Sequence, residues 1–336
     1  MISHSSSQWQ SLSWQKILQN AIRTKQDLLR ALEIEESSFS EACNAPDSFP
    51  ILAPRPFVER MEKRNPNDPL LRQVLATEAE WTDTLGKADP LDEAQFSPVP
   101  GLIHKYSSRV LLVTAGTCAV NCRYCFRRHA DYQASMLTPS RLETVHDYIS
   151  QKTGISEVIL SGGDPLMLSD SKLSLIIGRL ESIRHLKRLR IHTRLPIVIP
   201  QRITAELCQQ LRQSRLRTTV VVHANHAREI DLHVTDAVRQ LRSAGVTVLN
   251  QAVLLKGVND NPDSLVDLSE TLFEADILPY YLHTFDPVLG AMHFERNLAE
   301  VLEIFKQVQA RLPGYLLPKL VSERPGEQSK TLLDTS

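Results

Sequence analysis

The rhythm of apolar and polar positions changes twice along the chain of 336 residues. In "WQKILQNAIRTKQDLLRALEI" (14–34) apolar residues recur every three or four positions, the spacing of an amphipathic helix. "NPNDPLLRQVL" adds a turn and a new helix start. Asp68 stands where a cap belongs, and Pro69 falls at the first helical position, where a missing N–H costs nothing. "PLDEAQFSPVPG" (90–101) has no period and reads as a connector. From about residue 105 to 300, short β-branched runs alternate with helical stretches. Strands are predicted at "RVLLVTA" (109–115), "EVILSG" (157–162), "RLRIHT" (188–193), "TTVVVHA" (218–224), "TVLNQAVLL" (247–255) and "PYYLHT" (279–284). Helices are predicted over 139–152, 170–184, 203–214, 233–244 and 262–275. After 301 comes one more helical pattern and then "PGYLLPKLVSERPGEQSKTLLDTS", a tail rather than a domain.

Six strand–helix alternations predict a parallel sheet with crossover helices. The expected fold class is α/β: a partial (β/α)6 TIM-like barrel, two units short of the full ring, with an N-terminal helical extension over 1–95, a core over 96–300 and a short C-terminal tail over 301–336. Each predicted strand ends on chemically useful residues. These are Cys118, the Gly162-Gly163-Asp164 run, Thr193 with Arg194, His223 with Asn225, Gln251 inside the fifth strand, and His283 with Asp286. Polar residues open loops in any protein. Six in succession at carboxyl ends of strands is the placement of an active site in such barrels.

Composition narrows the classes. Charged residues make up 23% and the formal net charge is −1, so neither nucleic acid nor an anionic membrane is drawn to the chain as a whole. The basic run "IRHLKRLR" (183–190) is accounted for by a solvated helix end as well as by a binding patch. "MISHSSSQWQ" has no apolar h-region, and no apolar run reaches the ~18–20 residues of a membrane span. The five cysteines are odd in number and three are clustered, unlike a secreted disulfide framework; a reducing cytoplasm is expected.

Those three lie in "GTCAVNCRYCFRRH" (116–129), where Cys118, Cys122 and Cys125 follow C-x3-C-x2-C. Thiolates hold zinc or iron–sulfur iron. With His129 as a fourth ligand the loop would make a structural zinc site, and the chain a zinc-stabilised binding module. Three buried thiols acting as small hydrophobes fit poorly with the intervening Asn121, Arg123 and Tyr124. A [4Fe–4S] cube held by three cysteines keeps one iron open to a small molecule. This spacing, directly after the first predicted strand, resembles the radical S-adenosylmethionine superfamily. There the open iron chelates S-adenosylmethionine, and one-electron reduction cleaves it to methionine and a 5′-deoxyadenosyl radical. "LSGGDPL" (160–166) resembles the segment that holds the amino group of that molecule. The resemblance places Ser161, Gly162, Gly163, Asp164, Thr193, Arg194 and His223 around it.

A closer resemblance covers residues 50–332, through "NPNDPL", "CRYCFRRH", "LSGGDPL", "NQAVLLKGVND", "PYYLHTFDPVLGAMHF" and "PGEQSK". These are similar to the lysine 2,3-aminomutase family. The resemblance implies that Lys330 forms an imine with pyridoxal 5′-phosphate and that Lys105, Tyr106, Arg109 and Gln251 hold the phosphate. It further implies that Arg127 pairs with the substrate carboxylate and that Asp286 and Glu323 receive the distal ammonium of L-lysine. Glu323 stands where the family has a shorter acid, His283 where it has tyrosine, and Glu327, Gln328 and Ser329 where it has glycines. The adenosyl radical would take a β-hydrogen, and nitrogen would migrate to the β-carbon. The family's free-lysine aminomutases of catabolism carry a longer C-terminal segment with a zinc-binding cysteine cluster; with no cysteine after Lys330, the chain resembles instead the short-form subgroup that makes (R)-β-lysine for a ligase acting on elongation factor P. Flavodoxin or ferredoxin would be the electron donor. A glutamate or other amino acid 2,3-aminomutase is the alternative enzyme, against which the acid pair argues by repelling a second carboxylate. Cys43 and Cys208 are expected to be structural thiols.

Overall fold

The computed structural model describes residues 9, 11–38, 49–131 and 136–334. Nine strands form one sheet in chain order. They are β1 (Leu102–Tyr106), β2 (Arg109–Ala115), β3 (Glu157–Gly162), β4 (Arg188–Thr193), β5 (Arg217–His223), β6 (Thr247–Val253), β7 (Leu278–His283), β8 (Lys319–Ser322) and β9 (Thr331–Leu332). From β2 to β8 every neighbour is parallel, while β1 and β9 run antiparallel at the two edges. The six expected strands are present as an open, partial barrel. The sheet extends beyond them: β8 adds a further parallel strand and two short edge strands flank the series.

Six crossover helices follow β2 to β7: Pro139–Ser150, Asp170–Glu181, Ala205–Gln213, Leu232–Ser243, Pro262–Glu274 and Leu298–Arg311. Each begins at a short polar residue whose side chain accepts a backbone N–H of the first turn. The caps are Thr138, Ser169, Thr204, Asp231, Asn261 and Asn297. Such a cap contributes about 1 kcal/mol. Asn259 ends β6 two residues before the expected point. It takes the N–H of Leu255 at 2.8 Å and donates to the carbonyls of Val253 and Asn225 at 2.9 Å, turning the chain away from the ladder.

The single helix expected over 14–34 is two, Trp14–Gln19 and Lys25–Ala31. Thr24 caps the second, accepting from Asp27 N at 3.1 Å, and Ile22 exchanges both backbone hydrogen bonds with Ala53 at 2.9 Å. Both pieces keep the apolar stripe, and the pairing with Ala53 breaks the axis. Asp68 caps the helix Pro69–Arg72 as the sequence predicts. One continuous apolar core runs from Trp14 through Phe57 and the sheet to Leu320, so the N-terminal extension and the tail pack into the same interior as the barrel. Cys208 is a buried free thiol on the helix Ala205–Gln213, whereas Cys43 lies outside the described residues. Among the described residues no helix is long and apolar enough to cross a membrane.

Candidate active site

Alternate residues of the strands point into the barrel and leave a cavity of about 320 Å³. This lies within the roughly 300–1,000 Å³ of small-molecule sites. Its wall carries Arg109 from β2, Ser161 from β3, Arg190 and His192 from β4, His223 from β5, Gln251 from β6, and Tyr281 and His283 from β7. These polar groups are set in a mainly apolar wall that also carries Ile103, Val110, Ile159 and Val253.

Cys118, Cys122 and Cys125 open onto this cavity as free thiols. The N-terminal extension shapes their loop. Asn121 N donates to Leu52 O at 3.0 Å and Arg123 N to Gln73 O at 2.9 Å. The buried Arg123 guanidinium binds Glu80 with two donors and Phe49 O at 2.7 Å; Arg128 joins the same Glu80 at 2.7 Å. Burial, followed by the neighbouring sulfurs, pushes the Cys118 thiol up, and burial pushes Cys125 up to about 11. Such sulfurs shed their protons to a metal centre rather than to water. Among the described residues no three His, Cys, Asp or Glu side chains converge on one ion position. A zinc ion needs its ligands within about 2.3 Å. His129, its proposed fourth ligand, instead uses Nε2 to donate to Leu289 O at 2.9 Å and is absent from the cavity wall. Three cysteines are the donor set of a cube with one open iron, and with His129 turned to Leu289 O a zinc site has no fourth ligand from this loop.

The Gly162-Gly163 turn lies against the backbone that leads into the cysteine loop. Gly162 has φ +107°, and a Cβ on Gly163 would sit 2.4 Å from the carbonyl oxygen of Thr117. Only glycine fits there. Gly163 N and Asp164 N donate to Ala115 O and Thr117 O at 2.8 and 2.9 Å. Asp164 lies on the cavity wall, but both its oxygens are engaged. They accept from Leu166 N, Thr193 Oγ1, Arg194 N and Leu195 N at 3.0, 2.7, 2.8 and 3.1 Å, joining the end of β3 to that of β4. Thr193 and Arg194 line the same wall.

At the other end, the tail returns through the β8–β9 hairpin. Lys330 Nζ pairs with Glu323 Oε2, while Glu323 Oε1 accepts from Lys105 Nζ at 2.6 Å and Tyr106 OH at 2.5 Å. Burial alone would raise Glu323, but Lys330, Lys105 and Tyr106 outweigh it and hold the carboxylate at about 2. Asp286 has the opposite fate: burial pushes it up to about 7, more than Lys330 pulls it down. Arg109 stacks on the Tyr106 ring at 4.0 Å. Glu327, Gln328 and Ser329 are exposed in the hairpin loop. Arg127 Nε and Nη2 reach Glu93 at 2.7 and 2.6 Å, and Nη1 reaches Ser161 Oγ at 3.1 Å and Gly162 O at 3.4 Å.

Every residue expected at the site lines this cavity except Gly162, which takes part through its carbonyl. His283 is a cavity residue too; burial, then Lys330, pushes it down to about 3, so the ring is neutral. Glu93, Phe96, Arg190, His192, Tyr280 and Tyr281 were not singled out in the sequence. Arg190 belongs to the basic run attributed to a helix end. It sits in β4, inside the strand predicted over 188–193, and pairs with Glu157 at 2.8 Å. The alternation of "RLRIHT" carried that signal, since Leu189 and Ile191 face the helices while Arg190 and His192 face the cavity. His192 Nε2 and Arg194 Nε are buried without a hydrogen-bond partner among the described residues.

Residues 112–269 match the Radical SAM superfamily. The chain is 48% identical to the L-lysine 2,3-aminomutase of Haemophilus influenzae over 95% of each sequence. It is 47% identical to the protein of that name in Escherichia coli, over 96% of this chain and 94% of the relative. To the L-lysine 2,3-aminomutase of Clostridium subterminale it is 34% identical, over 97% of this chain and 78% of that one.

Proposed function

The chain belongs to the lysine 2,3-aminomutase family of radical S-adenosylmethionine isomerases, and from that premise we propose that it converts L-lysine to β-lysine with the help of pyridoxal 5′-phosphate, supplying the β-lysylation of elongation factor P. Membership of the superfamily brings a [4Fe–4S] cluster and S-adenosylmethionine. The observation that carries the substrate reading is a single cavity. It joins the three cysteines, the amine of Lys330, the guanidinium of Arg127 and the acids Asp286 and Glu323.

When bound, the cluster with S-adenosylmethionine supplies a hydrogen-abstracting radical, and pyridoxal phosphate supplies a ring able to spread an unpaired electron. The remaining work falls to side chains. Cys118, Cys122 and Cys125 would hold the cluster. Lys105, Tyr106 and Arg109 gather cationic and phenolic donors beside Lys330, as a phosphate requires. Lys330 would hold the coenzyme, and to do so it would have to leave Glu323 Oε2, while Lys105 stays on Oε1. Arg127 presents a planar fork matched to the α-carboxylate. Its Nη1 contacts with Ser161 and Gly162 tie that fork to the turn beside the cysteine loop, so amino acid and radical source are aligned by one guanidinium. At the far end, Asp286 and Glu323 suit a second ammonium and disfavour the second carboxylate of glutamate.

Anaerobic turnover of the reconstituted enzyme with free L-lysine, read by mass and chirality of product, tests the reading. (R)-β-lysine is expected. β-Glutamate from glutamate, with no β-lysine from lysine, would overturn it.

A further inference from the structure

Behind the cysteine loop lies a buried charged array that the substrate does not explain. Arg194 is 6% exposed, and its guanidinium meets acceptors of three kinds. Nη2 donates to Gln73 Oε1 at 2.6 Å and to Glu229 Oε2 at 2.9 Å. Nη1 donates to the sulfur of Cys122 at 2.8 Å. The rings of Phe57 and Tyr124 flank it, with centroids 5.3 and 5.7 Å from Cζ. Glu229 is fully buried and fixed from behind. Its Oε1 accepts from Asn225 N at 2.9 Å, His226 N at 3.2 Å and Gln73 Nε2 at 3.0 Å. Its carboxylate therefore cannot swing away, and Arg194 cannot follow it away from the sulfur.

We propose that Arg194 sets the reduction potential of the cluster through its charged N–H on Cys122, and that Glu229, on the far side of the same guanidinium, holds that effect in check. Reduction adds one electron to the cluster from an external low-potential donor; no protein bond forms or breaks. The added negative charge spreads onto the ligating sulfurs. A donor on one of those sulfurs stabilises it, since hydrogen bonds to the sulfurs and nearby charge are what tune such clusters. Arginine keeps its charge at any working pH and offers several donors in a rigid fork, so one group can serve sulfur and carboxylate together. With water excluded, opposite charges at this range act strongly. Arg194 is a positioning and tuning residue here, and the inference depends on the cluster alone, not on the amino acid or the B6 coenzyme.

The test is an EPR-monitored redox titration of the anaerobically reconstituted enzyme without S-adenosylmethionine, with iron and sulfide counted per chain. Arg194→Gln keeps an N–H but removes the charge. It should make reduction at least tenfold less favourable, a drop of about 59 mV for one electron. Glu229→Gln keeps the shape and removes the opposing charge, so the potential should rise. Arg194→Lys should fall between wild type and Arg194→Gln. An unshifted Arg194→Gln with full iron content would overturn the proposal, as would a Glu229→Gln potential that is unchanged or lower. If Arg194→Gln fails to assemble its cluster, the direction in Glu229→Gln decides.

Discussion

Arg127 is held by Glu93 through two parallel bonds of 2.7 and 2.6 Å, a carboxylate occupying the fork proposed for the substrate's own carboxylate. Glu93 comes from the connector 90–101, which has no regular period and supplies only a short 3₁₀ turn, Glu93–Phe96. A substrate has to displace it. Glu93→Gln removes the competing charge, and KM for lysine should fall by about threefold or more, with kcat little changed. A higher KM would mean that Glu93 instead positions Arg127. Arg127→Lys, which loses the fork, should raise KM about tenfold or more. Steady-state kinetics on the two variants check both directions.

Asp286 provides a pH signature. Burial raises its carboxyl to about 7 against the pull of Lys330, and Glu323 and Glu93 add to the rise. Below that value it is neutral and a poor partner for an ammonium; above it, it is an anion. The kcat/KM for lysine should therefore increase as pH rises through about 7, because this ratio reports the free enzyme. Asp286→Asn should lower the ratio and abolish the inflection. An inflection that survives the substitution would belong to another group.

Lys330 is separable from the cluster. Lys330→Ala should still cleave S-adenosylmethionine under reducing conditions, but lose the visible absorbance of bound coenzyme and all β-lysine formation. Glu323 keeps Lys105 and Tyr106 as partners in that variant, so the hairpin has no reason to unfold. An unchanged coenzyme spectrum would remove Lys330 from its role.

Glu80 is the structural anchor of the cysteine loop. It takes two donors from Arg123 and one from Arg128, all in the buried interior. Glu80→Ala leaves two guanidinium groups buried without their acid, which costs about 3–5 kcal/mol. Urea unfolding under anaerobic conditions should show that loss, with reduced iron per chain after reconstitution. Glu80→Gln should fall in between, keeping hydrogen bonds but not charge.

The strands β2 to β6 were legible as runs carrying β-branched residues, and β7 by its paired tyrosines, each followed by a helix whose cap is written in a single residue such as Thr138, Asp231 or Asn261. The strands β1, β8 and β9 were not. "LIHKY", "KLVS" and "TL" are too short to show a period, although β1 pairs with the adjacent β2 and β9 with the adjacent β8. The chemistry divides in the same way. Cys118, Cys122 and Cys125 announce themselves by spacing, whereas Lys330 is singled out only through the family resemblance. The partners that hold the site do not. Glu93 is 34 residues from Arg127, and Gln73 is 121 from Arg194 and 156 from Glu229. No local pattern encodes a pair at that range; only folding brings it together.

The sheet runs in order from β1 to β9 without its two edges pairing, yet Lys105 and Tyr106 beside one edge grip Glu323 beside the other. The ring is laced there by side chains instead of amides. A backbone ladder must break whole bonds in register to widen, whereas such lacing can loosen one tie at a time. At this flank the width of the bore is therefore fixed by the reach of Glu323 and its partners rather than by strand register.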